Sequence, residues 1–427
     1  MKKRFILKID EEFFLTIMII YYTSKLLWDT LIPSVFSLLF IGITFIYVIK
    51  YLFSPLKKND LALIAFSLIF CIYIIMNAIF KDDSAQCLRA IYEYILYAFP
   101  LLGFLYIYPR VDLPNIAKKL SVYGIVIACL SWYEYFSKRF IIPIHGSSGI
   151  LYGGSYAFRS AVFSRSALSH GIVLGFFSLL LFYVYINEKS KRNLLLTLFA
   201  FVSILTTSSR GPLVATAAGI LISYFLHLRV NENGSMKQYL GIAFLVLVLV
   251  GIVFFMNSSF VTGNEMIDYF LLRIRTITDW SGDAGNVGRI SRWNWSIQLY
   301  NTNKLWGIGP SKTGSWGDAS IGVTESGVLR RLCELGLVGF GLHYSFIIAT
   351  IICSIKKMKY LPKSLQNSVI LFLGLLAMVL INDITVQSTE EPTVCFIMWF
   401  AVAGLIAMTK FRANNYRGYN SEEIVRY

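Results

Sequence analysis

Stretches of about twenty apolar residues recur from end to end of this chain, a length that crosses the hydrocarbon core of a bilayer as a helix. Nothing constrains the fold more. In lipid every backbone N–H and C=O must be satisfied within its own segment, so such stretches become helices. The chain has 427 residues, 56% of them apolar and only 15% charged, with mean hydropathy +0.63. That balance excludes an ordinary soluble domain. The expected fold class is an all-α polytopic membrane protein with about twelve transmembrane helices, a single integral-membrane domain over residues 1–427. The expected spans are 12–28, 31–50, 60–80, 88–107, 117–135, 167–186, 193–208, 212–228, 239–256, 327–354, 366–383 and 394–410.

The formal net charge is +15. A nucleic-acid partner would account for such a value, but the placement of the charge argues against one. The connections KYLFSPLKKND, YPRVDLPNIAKK, EKSKR, HLRVNENGSMK, IKKMKYLPKSLQ and the tail KFRANNYRGY are all basic, and they alternate with short neutral or acidic ones such as KDDSAQ and NDITVQSTEEP. This is the positive-inside pattern, and it places both termini in the cytoplasm. The start, MKKRFILKIDEEFF, lacks the small-residue cleavage site of a signal peptide and reads as a cytoplasmic lead into the first span.

Two long connections break the pattern, and both are expected on the extracytoplasmic face: 136–166 and 257–324. The first is rich in Gly and Ser and carries Arg159 and Arg165. The second carries Arg273, Arg275, Arg289 and Arg292, and its stretch RISRWNWSIQLY has the make-up of an amphipathic surface helix with Trp293 and Trp295 as interface anchors. Arg210, in TTSSRGPL, stands at the outer junction of two spans. Gly211 permits a tight bend there, and Pro212 suits the first helical turn. Arg210 is either a snorkelling arginine or a preorganised anion contact. Arginine grips phosphate in a bidentate fork and keeps its charge. Arg159, Arg210, Arg289 and Arg292 from separate segments of one face are therefore candidate pyrophosphate ligands, with lipid head groups or plain solvation as the alternative.

Glu325 opens the tenth span. It is either a helix-terminal carboxylate favoured by the dipole or a proton acceptor at the membrane surface. Glu334 and His170 are further candidates for the substrate site. Glu334 also has the spacing to pair with Arg330 and Arg331 on the surface of its own helix, and His170 the setting of a packed polar residue. Arg89 and Glu93 read as a structural pair. The six cysteines are scattered without metal spacing and the four histidines lie far apart, so neither a metal nor any other cofactor is expected. No Walker loop, zinc-protease motif or serine triad is present.

SSRGPLVATAAG, then GRISRW, then GIG, then ESGVLRRLCELGLVG, in that order over residues 150–345, resembles the O-antigen polymerase and O-antigen ligase superfamily. The resemblance implies a GT-C-like, lipid-dependent glycosyltransferase. Its donor would be a glycan on undecaprenyl pyrophosphate, used outside the cytoplasm of a bacterial inner (plasma) membrane without nucleotide or metal. It also implies that arginines hold the pyrophosphate. The family's SRG arginine corresponds to Arg210, that of GRxxxW to Arg289, and the one ahead of the sixth span to Arg159. Ligase members typically carry His where this chain has Glu325, which points to a polymerase.

The expected function is thus polymerisation of polysaccharide repeat units of an O-antigen, capsule or related surface glycan. Arg210, Arg289 and Glu325 would be catalytic, and Arg159, Arg292, His170 and Glu334 would bind substrate. Membrane lipid and a chain-length regulator are the partners the family implies. A ligase is the alternative within the family. A transporter or flippase of lipid-linked oligosaccharide is the alternative of another class.

Overall fold

The computed structural model describes residues 10–31, 35–55, 58–81, 84–96, 100–142, 150–152, 155–230, 284–314 and 321–410. Among them the fold is a helical bundle: α1 (Glu11–Thr23), α2 (Lys25–Leu31), α3 (Val35–Leu52), α4 (Lys58–Lys81), α5 (Ser84–Ala90), a π-helical turn (Ile91–Leu96), α6 (Pro100–Ile107), α7 (Leu113–Ser137), α8 (Ala167–Glu188), α9 (Lys191–Ser203), α10 (Arg210–Val230), α11 (Ala284–Thr302), α12 (Gly327–Met358), α13 (Lys363–Thr385) and α14 (Pro392–Lys410). One short antiparallel hairpin, Ile150–Tyr152 with Ser155–Ala157, interrupts the helices.

Seven of these helices are long and apolar enough to cross a membrane: α4, α7, α8, α10, α12, α13 and α14. The remaining expected spans correspond to shorter or broken helices. The first is split into α1 and α2 by a break at Ser24, and the fourth is α5, the π turn and α6 in succession. The expected span 239–256, with Arg273 and Arg275, lies outside the described residues.

The starts of the helices follow their sequence. Asp10 and Asp112 accept from the first-turn N–H groups of α1 and α7, and Ser326 does so for α12. Ser166 and Ser169 form a reciprocal capping box at α8. The core sits around α8 and α14, which are almost wholly buried, with α13 beside them. Small residues let backbones approach closely there. A Cβ on Gly219 of α10 would lie 2.7 Å from the carbonyl oxygen of Gly374 in α13.

The two ends of the bundle differ in chemistry. At one end the basic connections are cross-tied: Lys119 to Glu12 at 2.8 Å, Lys118 to Glu188 at 2.6 Å, Asn367 to Asn187 at 2.9 Å and Lys410 to Tyr51 at 3.1 Å. The opposite end carries the polar loops. There α12 is broken at Gly336, whose φ of 61° leaves the helical region. The segment before it fills the break. Ile308 N and Gly309 N donate to the carbonyls of Cys333 and Glu334, and Leu337 N and Val338 N donate to those of Lys304 and Leu305. Gly307, with φ of 75°, faces Gly336 so closely that a Cβ on either would strike the other's backbone surroundings. The GIG and ELG motifs of the sequence are thus two halves of one joint.

Candidate functional site

Three segments meet at the loop-bearing end. The first is the 3-10 turn Ile204–Thr207 and the junction after it. Ser208 takes a left-handed conformation (φ 49°), and α10 begins at Arg210. That turn places the Arg210 guanidinium at the head of α10, where it donates to Asn286 Oδ1 of α11 at 3.3 Å. A Cβ on Gly211 would come 2.9 Å from Asn382 Oδ1, so a side chain at the bend would require Asn382 to shift.

The second segment arrives from the first long loop. Arg159 Nε donates to the Thr207 carbonyl at 2.9 Å, and its terminal nitrogen donates to the Ser209 hydroxyl. Arg159 is therefore fastened to the residues that immediately precede Arg210. The third segment is α11, the helix expected over RISRWNWSIQLY. Asn286, Arg289 and Trp293 fall at helical spacing on one face, and Arg292 neighbours Arg289.

Glu325 closes the cluster. Its carboxylate lies 2.9 Å from the Arg292 guanidinium and 4.0 Å from Arg289 Nε, and Trp293 Nε1 donates to its backbone carbonyl at 3.3 Å. Glu325 has φ of 56°, a conformation that L-residues other than Asn, Asp and Gly seldom adopt. Such strain persists only where the surroundings impose it. Here the imposition is the Ser326 cap on one side and the α11 contacts on the other. The N-termini of α10 and α12 both open at this place, and their dipoles favour a bound anion.

Arg159, Arg210, Arg289, Arg292 and Glu325 are thus brought to one end of the bundle and linked by short contacts. The other two candidates stand elsewhere. His170 is buried in α8, where Nε2 lies 2.9 Å from the Ser131 hydroxyl. Glu334 is fully buried (0% exposed) and saturated. It accepts from Ser311 N at 2.9 Å, Thr313 N at 2.9 Å, the Thr313 hydroxyl at 2.6 Å, Arg330 Nε at 3.0 Å and the Tyr94 hydroxyl. Its geometry is that of an anchor for the loop that leads from α11 to α12. The pairing with Arg330 is made inside the protein, not on the helix surface. Glu93 also turns to Arg330 and to the Ser311 hydroxyl, at 2.8 Å, and Arg89 Nε stands 3.8 Å from it.

Two supporting groups lie outside the candidates drawn from the sequence. Asp383 of α13 holds Arg331 at 2.6 Å and caps Thr389 through its N–H and hydroxyl. Glu134, at the end of α7, is fully buried and gathers donors from the first long loop. A lone acidic residue inside an apolar span, SWYEYFS, is the signal that marks it.

No cluster of three or more potential metal ligands occurs among the described residues. The sequence model of the family described as O-antigen ligase matches residues 194–344. The matched stretch carries Arg210, Arg289, Arg292, Glu325 and Glu334, and supports the O-antigen polymerase and ligase superfamily, glycosyltransferase-like membrane enzymes of surface-glycan assembly. No curated protein matches the chain.

Proposed function

We propose that this chain of the O-antigen polymerase and ligase superfamily is a repeat-unit polymerase, with its site on the extracytoplasmic face of a bacterial inner membrane. The donor is the growing glycan on undecaprenyl pyrophosphate, and the acceptor is the terminal sugar of a lipid-linked repeat unit. The acceptor hydroxyl oxygen attacks the anomeric carbon of the donor. The bond from that carbon to the pyrophosphate oxygen breaks, and undecaprenyl pyrophosphate leaves with the electron pair. The hydroxyl proton passes to the Glu325 carboxylate. Inversion at the anomeric carbon is the expected outcome of this single displacement.

The observation that carries this reading is the convergence of Arg159, Arg210, Arg289 and Arg292 from three segments at two helix N-termini. Fixed cationic donors aimed at a leaving group supply the electrostatic stabilisation that usually dominates catalysis. Pyrophosphate already leaves readily, so positioning accounts for much of the remainder. Glu325 beside two of the arginines supports the proton-acceptor role, and its presence in place of the ligase histidine supports a polymerase. The second reading is a ligase, in which the same donor chemistry serves a lipid or protein acceptor; the matched family covers both reactions.

The test is purified protein in nanodiscs with an undecaprenyl-pyrophosphate repeat unit, run on a gel with EDTA present. A ladder of lengthening products is the expected result. A single transfer to an added lipid acceptor without a ladder would make it a ligase. Movement of the lipid across a sealed bilayer with no new glycosidic bond would make it a transporter.

A further inference from the structure

Glu134 is a buried carboxylate for which the proposed reaction has no direct use. It lies in the last turn of α7, and its oxygens are filled by donors from the first long loop. Ala161 N, Val162 N and the Ser160 hydroxyl each donate to Oε2 at 2.9 Å, and Ile141 N donates to Oε1 at 2.9 Å. A carboxylate withdrawn from water is costly unless its oxygens are met by donors in this way. The turn that supplies them is itself unusual. Val162 has φ of 45°, a left-handed conformation that a β-branched residue adopts only under constraint. Three donors from consecutive residues, all directed at one carboxylate oxygen, provide the constraint.

This turn starts one residue after Arg159. Ser160 N donates to the Thr206 carbonyl at 3.0 Å, and Arg159 grips Thr207 and Ser209. Behind the turn, the Ser131 hydroxyl stands 3.0 Å from Ser160 Oγ, 2.6 Å from Thr206 Oγ1 and 2.9 Å from His170 Nε2. A continuous buried chain of hydrogen bonds therefore runs from Glu134 through Ser160 and Ser131 to Thr206, the neighbour of Thr207, whose carbonyl Arg159 grips. It also gives His170 a place behind the arginines.

We propose that Glu134 is a positioning residue for the anion site, ordering the 160–162 turn so that Arg159 is held in register with Arg210. The inference rests on the reading of these arginines as the pyrophosphate site. Glutamine is a poor substitute at this position. It offers one acceptor oxygen where four donors converge, and it turns an N–H group toward other N–H groups.

The test is binding of farnesyl pyrophosphate, a short isoprenoid pyrophosphate, to the full chain in detergent. Wild type, R159A, R289A, E134Q and the doubles E134Q/R159A and E134Q/R289A are compared, with melting curves for each. Loss of a charge-assisted contact weakens binding by about tenfold or more, and E134Q is expected to show a loss of the same order as R159A. The double E134Q/R159A should bind no more weakly than R159A, because Glu134 acts through Arg159. In E134Q/R289A the two losses should multiply. Full-strength binding by E134Q while R159A is impaired would overturn the inference, and so would losses that multiply in E134Q/R159A. Should E134Q fail to fold, S160A removes a single donor and keeps the carboxylate. It should give a smaller loss with the same dependence on Arg159, and additivity there would overturn the inference equally. Failure of the wild type to bind the probe would overturn the pyrophosphate reading itself, and this inference with it.

Discussion

The Arg292 guanidinium meets the Glu325 carboxylate at 2.9 Å, joining α11 to the residue before the α12 cap. The contact is partly exposed, so its worth to folding is small, about 0–1 kcal/mol. Its significance lies in what it occupies. Under the proposed function the donor anion meets Arg292 and Arg289 where Glu325 stands, so the two would compete for the same guanidiniums.

Glu325→Gln separates these roles. The variant is expected to bind the donor at least as tightly as the wild type, because the competing charge is gone. Its kcat is expected to fall about 10²-fold, the low end for loss of a general base. Steady-state kinetics over a range of donor concentrations check both halves. An unchanged kcat would remove the proton-acceptor role and leave the anion site untouched.

Glu334→Ala tests a structural assignment. Arg330, itself buried, would keep Glu93 but lose the second of its two close carboxylates, and the N–H groups of Ser311 and Thr313 would lose their acceptor. Breaking a buried pair in this way costs about 3–5 kcal/mol. A large drop in melting temperature in detergent is expected. A fully stable but inactive variant would instead return Glu334 to the substrate site.

The joint between GIG and ELG makes a sharper case. Gly336 has φ of 61°, and a side chain there would strike the Leu305 and Gly307 backbone. Backbone strain of this kind costs about 1–3 kcal/mol before any clash is counted. Gly336→Ala is expected to lower the melting temperature well beyond what Gly341→Ala does, since Gly341 has open space around it. Equal effects of the two would contradict the joint.

Glu391, immediately before α14, is expected to contribute a pH dependence to stability. Burial pushes its carboxyl above the ordinary value of 4.5, against the pull of the nearby Arg165 guanidinium. The folded chain then holds that proton more tightly than the unfolded chain. The resulting stability is present in full below the ordinary value and is lost as pH rises through the raised one. Glu391→Gln should flatten this fall in a series of melting curves from about pH 4 to about pH 8. An unchanged slope would assign it to other groups.

Much of the fold was legible because a membrane leaves few choices. Apolar length and the run of basic connections placed eleven of the twelve expected spans on described helices, whole or broken. The breaks were less visible. The interruption at Ser24 and the kink at Gly336 depend on contacts with distant segments, such as Thr393 with the Tyr22 carbonyl and Leu305 with α12. At the site, Arg159, Arg210, Arg289, Arg292 and Glu325 stood out because charged residues on an otherwise apolar chain need a reason. Glu134 carries the same signal, a lone acid in SWYEYFS, but its partners, three backbone N–H groups and the Ser160 hydroxyl, leave no mark in composition. Glu334 suggested a surface pair with Arg330. Its other partners, Tyr94, Ser311 and Thr313, come from segments that the fold alone assembles.

The central claim is that Arg210 and Arg289 stabilise the departing pyrophosphate, and single-turnover transfer from an undecaprenyl-pyrophosphate repeat unit tests it most directly. Arg210→Ala and Arg289→Ala are each predicted to slow the chemical step by about 10²–10³-fold, the usual loss for one donor to a developing negative charge. Their melting temperatures should stay near that of the wild type. Wild-type single-turnover rates in both well-folded variants would contradict the account.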